Sequence, residues 1–364
     1  MEAVRPNYAG PNVTGVVPAL LGIRPVEWMP APVAGASASV LLVLDGLGWN
    51  ALGRFPEHLS ELRAFAGGPV TTVVPSTTPA ALTSIATGLP PSRHGITGFR
   101  FRHERGVLNA IRWQLADGSR PPEPGHVQKE RVFGGQPIPV VTKAVFRTTG
   151  FTSAHMHGTR FHGWQTTSVL IEQVRALVAA GERFVYAYYS GVDEVAHAHG
   201  IESAFYPAEL AATDRLVGEL RDALPEDAAL VVTADHGQVQ VGRDGWRSLA
   251  PLHEFVETYA GDGRFRHLHA KPGRAAELHA AADELHGREA WVFRREQLLD
   301  EGWLGPDPVP AVYRRVGDVV LAARNGVGFV DPTLPYEVEL VAAHGSITAA
   351  EVEVPLVAAR GRAR

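Results

Sequence analysis

The chain has 364 residues, 45% hydrophobic and 20% charged, enough to bury a large core in one α/β domain with inserts or in two domains. A formal net charge of -5 argues against a nonspecific nucleic-acid binder, which needs a basic surplus to neutralise a phosphate backbone. With no cysteine there is no disulfide framework and no thiolate zinc site, so metal binding falls to carboxylates and the 16 histidines.

The first residues, Met1 to Asn12, lack a basic start leading into an apolar stretch, so no signal peptide is read. Apolar runs are strand-sized, far short of the ~20 residues that span a bilayer. The expectation is a cytoplasmic protein with no membrane segment. In chain order, periodicity predicts a strand at 40–45, a helix at 57–66, a strand at 69–74 and a helix at 79–87. A strand at 151–156, a helix at 168–180, a strand at 183–189, a helix at 207–223 and a strand at 229–234 follow. Alternation of this kind predicts an α/β fold, a mostly parallel central sheet with helices on both faces, plus a small α+β cap insert. The core is assigned to 1–98, 141–245 and 336–364. Residues 99–140, rich in Arg, Gly and Pro, read as a loop-rich insert. Residues 246–335 read as the cap, with strands at 264–270 and 318–323 around a helix near 274–286.

Three apolar runs end at an aspartate: Val40 to Asp45, Phe184 to Asp193, and Leu230 to Asp235-His236-Gly. A fourth, Val338 to His344-Gly, ends at a histidine. Ligands in open α/β sheets gather beyond the carboxyl ends of strands, so these residues are expected to converge on one edge. Asp193 and His197 are four apart, a spacing that puts both side chains on one side of a helical turn, able to share a cation. Asp235-His236 is a second, adjacent pair, Asp45 adds a carboxylate and His344 an imidazole. Mixed Asp/His ligands suit zinc first and manganese second. Any one of these residues alone reads as a turn or surface group; the set does not.

The nucleophile candidate is Thr78 in Pro75-Ser-Thr-Thr-Pro79, followed by an apolar helix that stops at Gly88. Thr78 is expected at the helix N-cap, with Pro79 at the first helical position, where free amides and the helix dipole favour phosphate. A threonine hydroxyl needs a metal or base to attack at neutral pH. Two divalent cations contribute about +4 against about -3 from Asp45, Asp193 and Asp235, leaving a surplus that attracts a phosphate anion.

Together, Asp45-Gly, Pro-Ser-Thr-Thr78-Pro, Asp193-x-x-x-His197, Asp235-His236-Gly and His344-Gly resemble the type I phosphodiesterase/nucleotide pyrophosphatase branch of the alkaline phosphatase superfamily. The resemblance implies two zinc ions, one held by Asp193, His197 and His344, the other by Asp45, Thr78, Asp235 and His236. It implies hydrolysis of a small phosphodiester or pyrophosphate through a covalent phospho-threonine at Thr78. Where nucleotide-cleaving members carry a phosphate-contacting asparagine, this chain has Phe99, with Arg100 and Arg102 as candidate replacements. The alternatives are a phosphonate (P–C) hydrolase, a phosphomonoesterase, and more remotely a catalytically silent metal-binding module. Pro79-Ala-Ala after Thr78 counts against the monoesterase, whose relatives place an arginine there. Phosphoglycerate mutases of the superfamily share the Asp-Gly opening but are considerably longer. The expected partner is a small phosphorylated substrate, neither a nucleic-acid polymer nor a membrane; nothing in the sequence sets an oligomeric state.

His94 reads as a surface residue, and Glu194, His199, His155 and His157 as neighbours of ligands or surface groups. Tyr186, Tyr188 and Tyr189 read as sheet residues, and Lys143 and Arg160 as candidates to reach a substrate anion. Thr348-Ala-Ala-Glu351 fits a capping box that steadies the loop after His344.

Overall fold

A computed structural model describes residues 2–362. Its main sheet has seven strands, in the order Ala66–Thr71, Glu353–Arg360, Ala229–Thr233, Ser39–Leu44, Phe184–Tyr189, Pro139–Lys143 and Arg160–Trp164. All run parallel except Glu353–Arg360, which is antiparallel to both neighbours. Ser39–Leu44 is buried at every residue, as a strand covered on both faces must be, and this explains its unbroken apolar run. Helix Thr167–Ala179 buries Leu170 and Val174, one turn apart, and packs beside Phe205–Asp222. This is the largely parallel α/β architecture expected.

The 246–335 region contains a four-stranded antiparallel sheet, Val256–Gly261, Phe265–Ala270, Val319–Ala323 and Ala290–Arg294, carrying helix Ala275–His286. Leu268, Leu278, Leu321 and Phe329 form its own core. Residues 99–140 are more ordered than a loop-rich insert. They hold the three-stranded sheet Arg100–His103, Gly106–Asn109 and Gln114–Leu115, and from Pro139 they enter the main sheet.

Other expectations fail locally. Residues 151–156 do not form a strand. Gly150–His155 is a helix whose cap, Thr149, accepts from the Thr152 amide, with Phe151, Ala154 and His155 on its buried side. The strands of that region are Pro139–Lys143 and Arg160–Trp164. The helix expected at 57–66 shrinks to Ser60–Arg63, because the edge strand already starts at Ala66. The 338–344 run is not a main-sheet strand. It leaves a 3-10 segment, Pro335–Glu339, and pairs only Ala342–Ala343 with Val239–Gln240.

A buried ion pair ties the 246–335 region to the segment after His344. Arg264, fully buried, donates from Nε and Nη2 to both carboxylate oxygens of Glu351, at 2.7 and 2.9 Å. The same carboxylate accepts from the Ser346 amide (2.9 Å) and the Thr348 hydroxyl (2.6 Å). Thr348 precedes helix Ala349–Val352 as foreseen, but its hydroxyl donates to Glu351 instead of accepting from an amide. Removing one member of a buried, hydrogen-bonded pair strands the other charge. Glu351→Ala is expected to lower the unfolding free energy by about 3–5 kcal/mol in urea titration; a loss below about 1 kcal/mol would mean that Arg264 finds solvent or another partner.

Candidate active site

The three central parallel strands end level with one another: Val43 pairs with Tyr188 and Thr233, and Leu44 with Tyr189. The chain therefore leaves all three at one edge. Asp45 follows the first strand directly and Asp235-His236 follows the third. The second leads into helix Gly191–His199, which carries Asp193 in its first turn and His197 in its last. Two glycines permit the crowding. Gly46 has φ +78°, and a Cβ there would lie 3.0 Å from Asp193 Cα. A Cβ on Gly237 would lie 2.0 Å from the Ala350 carbonyl oxygen.

His344 arrives by a different route. Its Nδ1 faces the Ser76 carbonyl (2.9 Å), the Ser76 amide donates to Gly345 O (3.1 Å), and the Ser76 hydroxyl donates to Ser346 O (2.7 Å). The His344 loop and the Thr78 loop are thus laced together. His197 Nδ1 faces Ala342 O (2.8 Å) and His236 Nδ1 faces Gly237 O (3.1 Å). Each imidazole donates Nδ1–H to a backbone carbonyl, which assigns the tautomer and leaves Nε2 as a lone-pair donor aimed at the cluster.

Two groups result. Asp193 Oδ1 lies 3.3 Å from His197 Nε2 and 3.7 Å from His344 Nε2. His236 Nε2 lies 3.4 Å from Asp45 Oδ1, 3.4 Å from Asp235 Oδ2 and 3.1 Å from Thr78 Oγ1. The His236 and His344 rings stack with centroids 3.5 Å apart, which sets the groups side by side. Asp193 also lies within reach of Asp45 and His236, so it stands between the groups instead of belonging to one alone.

The donors fit cations. Asp45 Oδ1 and Asp235 Oδ2 are buried with no hydrogen-bond partner. Their sister oxygens are engaged: Asp45 Oδ2 accepts from the Tyr188 hydroxyl, and Asp235 Oδ1 accepts from the Gly46 and His236 amides at 3.1 and 3.0 Å. Burial, and then repulsion from Asp235 and Asp193, push the Asp45 carboxyl well above its ordinary range. Burial likewise raises Asp193 and Asp235 and holds His236 and His344 below the imidazole range, keeping both rings neutral. Three crowded carboxylates facing neutral imidazoles make an arrangement that a divalent cation relieves.

Thr78 is the first residue of helix Thr78–Thr87, not its cap. Thr77 holds the cap position and Pro79 the second helical position. The hydroxyl still lies at the helix N-terminus, where first-turn amides are unpaired. Phe99 lines a cavity of 520 Å³ together with Thr78, Asp45, Asp193, His197 and His344. The arginines proposed beside it do not. Arg100 is buried and donates to Asp331 (2.7 Å), and Arg102 pairs with Glu257 (3.3 Å). Arg112, exposed on the same insert, lines the cavity instead. Lys143 is held by Glu194, and Arg160 by Glu182 (2.7 Å). His94 is buried, its Nε2 paired with Ser84 Oγ (2.8 Å). His155 is also buried, stacked on Phe151, while His199 is exposed and stacks on Phe205.

Sequence reasoning missed Gln238, whose Nε2 donates to Asp193 Oδ1, and took Tyr188 only as a sheet residue. Tyr188 is the last residue but one of strand Phe184–Tyr189, and that register was its available signal. Asp262 was missed as well. Its Oδ2 is sealed from solvent without a partner, and burial pushes the carboxyl up to about 7 although Arg266 pulls it down.

Comparisons with known proteins bear on the family and the fold. The family profile described as type I phosphodiesterase/nucleotide pyrophosphatase matches residues 39–347. A search of curated proteins found no match. Among solved structures, an inactive threonine-to-alanine variant of murine ectonucleotide pyrophosphatase/phosphodiesterase 5 in complex with AMP superposes with TM-score 0.68 at 15% identity. It covers 88% of this chain and 87% of that one. Phosphonoacetate hydrolase from Sinorhizobium meliloti 1021 in complex with phosphonoformate superposes with TM-score 0.63 at 19% identity, covering 90% and 91%.

Asp262 gives the cavity a pH signature. Its folded-state value lies above the unfolded one, so its contribution favours the fold at low pH and is lost as pH rises toward and through about 7. With metal loading held equal, Asp262→Asn is expected to gain about 2–3 kcal/mol relative to wild type between pH 5 and pH 8. Unfolding free energies whose difference does not change with pH would show that Asp262 is ionised throughout.

Proposed function

We propose, from the premise that the chain belongs to the type I phosphodiesterase/nucleotide pyrophosphatase family, that it is a two-zinc hydrolase of a small phosphodiester or pyrophosphate. The observation that carries this reading is the Thr78 hydroxyl, 3.1 Å from His236 Nε2 at a helix N-terminus, beside the orphaned oxygens of Asp45 and Asp235.

Asp193, His197 and His344 would hold one cation, and Asp45, Thr78, Asp235 and His236 the other. When bound, the cations neutralise phosphate charge and favour loss of the Thr78 proton. Thr78 Oγ forms a bond to phosphorus while the bond to the leaving oxygen breaks, giving a phospho-threonine. Water then attacks that phosphorus and restores the hydroxyl. Pro79 has no N–H and the Ala81 amide donates to Thr77 O (2.9 Å), which leaves the Thr78 and Ala80 amides to donate to an equatorial phosphate oxygen. Tyr188, the Gly46 amide and Gln238 hold the three aspartates in place.

The cavity wall favours a diester over a carboxylated phosphonate. Leu82, Phe99, Ile111, Phe146, Phe151 and Met156 present apolar surface, and Arg112 is the sole Lys or Arg lining it among the described residues. Glu194, Asp262, Glu337 and Glu339 line it too, which penalises a second anionic group on the substrate and so ranks a diester above a pyrophosphate as well. We assign substrate selection to the 99–140 and 246–335 segments, which supply Phe99, Arg112, Trp246, Asp262 and Leu334 to this wall.

Three measurements test the reading. Zinc-loaded enzyme should cleave bis(p-nitrophenyl) phosphate faster than p-nitrophenyl phosphate and leave phosphonoacetate intact; the reverse order would favour the monoesterase or phosphonate reading. Thr78→Ala should lower turnover by about three orders of magnitude or more, and near-wild-type turnover would put the nucleophile elsewhere. Asp193→Ala and His344→Ala should each reduce bound zinc by elemental analysis, and full occupancy in both would exclude them as ligands.

A further inference from the structure

A second cleft, of 1280 Å³, opens between the Arg-rich insert and the cap, lined by residues within 93–130 and 269–318. It shares no lining residue with the Thr78 cavity. Eight Lys and Arg line it against four carboxylates, in a chain whose formal charge is -5. Arg102, Arg120 and Arg295 each have one carboxylate neighbour, whereas Arg93, Arg105 and Lys129 have none within 4.0 Å among the described residues.

The cleft is more than a basic surface. His269, which lines it, is 1% exposed and its Nε2 has no partner. Burial holds this imidazole well below its ordinary range, helped by His267 and then by Arg102 and Arg295. Arg295 Nε, a donor that can only be satisfied by an acceptor, is also buried and unpaired. An unpaired buried polar group carries an uncompensated desolvation penalty. Anionic oxygens seated among Arg102, Arg295 and His269 would supply what both lack.

We propose that this cleft is a second anion site, separate from the Thr78 centre, that takes a polyvalent phosphoanion: the triphosphate of a nucleotide or a short inorganic polyphosphate. Guanidinium forks match phosphate oxygens in pairs. Cations spread through so large a cleft match a chain of charges better than a single small ion. A nucleic-acid polymer fits worse, because its remaining phosphates would run out over a surface of net negative charge. The ligand does not reach Thr78, so it acts as an effector and not as a substrate.

Calorimetric titration of zinc-loaded Thr78→Ala protein with inorganic tripolyphosphate and with ATP tests the site, since that variant is not expected to turn either over. Both should bind. Affinity should fall about tenfold or more when Arg105→Ala, Arg120→Ala and Lys129→Ala are added together, all three being exposed positions that do not endanger the fold. Binding should persist when Asp193→Ala is added instead. Equal affinities would identify the phosphate chain as the whole recognition element, and tighter ATP binding would add nucleoside contacts to it. Undiminished binding in the triple-alanine protein, loss with Asp193→Ala, no binding at millimolar ligand, or binding of a single-stranded oligonucleotide alone would each overturn the proposal.

Discussion

Crowding of like charge is the constraint on which the rest of the molecule depends. Asp45, Asp193 and Asp235 are driven to one sheet edge by three strands in parallel register, and burial denies them the water that would screen their repulsion. The surroundings answer with fixed donors on one oxygen of each carboxylate. Tyr188 serves Asp45, the Gly46 and His236 amides serve Asp235, and Gln238 serves Asp193. Asp45 and Asp235 are left with one bare oxygen each, turned toward imidazole nitrogens. A fold that so directs its unsatisfied acceptors is preorganised for cations.

The same arrangement dictates backbone chemistry several residues away. The Asp45 turn closes over the Asp193 helix because residue 46 carries no Cβ, and the Asp235 turn approaches Ala350 because residue 237 carries none. Thr72 holds the second turn from the other side, its hydroxyl donating to Asp235 O at 2.5 Å. Loop geometry at the aspartate–histidine cluster is therefore set by steric exclusion as much as by hydrogen bonds.

How much of this was legible in the sequence follows from the kind of signal each residue leaves. Asp45 and Asp235 follow strands buried on both faces, which leave apolar runs as their trace, and Asp193 comes one helical turn beyond a third such strand. His197 was readable from helical spacing, and His236 by adjacency. His344 was singled out as the end of a fourth apolar run, but that run is not a main-sheet strand: it forms only a two-residue pairing, and the sheet position is filled by Glu353–Arg360. Helix Gly150–His155 was misread as a strand because six residues give little periodicity, although Thr149 marked its start. Tyr188, Gln238 and Arg112 act by proximity across distant segments, which local pattern does not encode. Arg100 and Arg102 were weighed as free cations because their partners, Asp331 and Glu257, lie more than 150 positions away.

The Arg264–Glu351 pair also bears on how such a protein can be recombined. Its arginine belongs to the small sheet, and its glutamate fixes the Ser346 amide two residues from His344, while the Glu351 carbonyl accepts from Gly237 beside His236. A graft that exchanged the small sheet for that of a relative, keeping the large one, would leave a buried carboxylate facing an alien surface next to two histidines. Swapping selectivity between relatives thus requires moving both halves of the clamp at once, so these two positions are expected to travel as a unit in any working chimera.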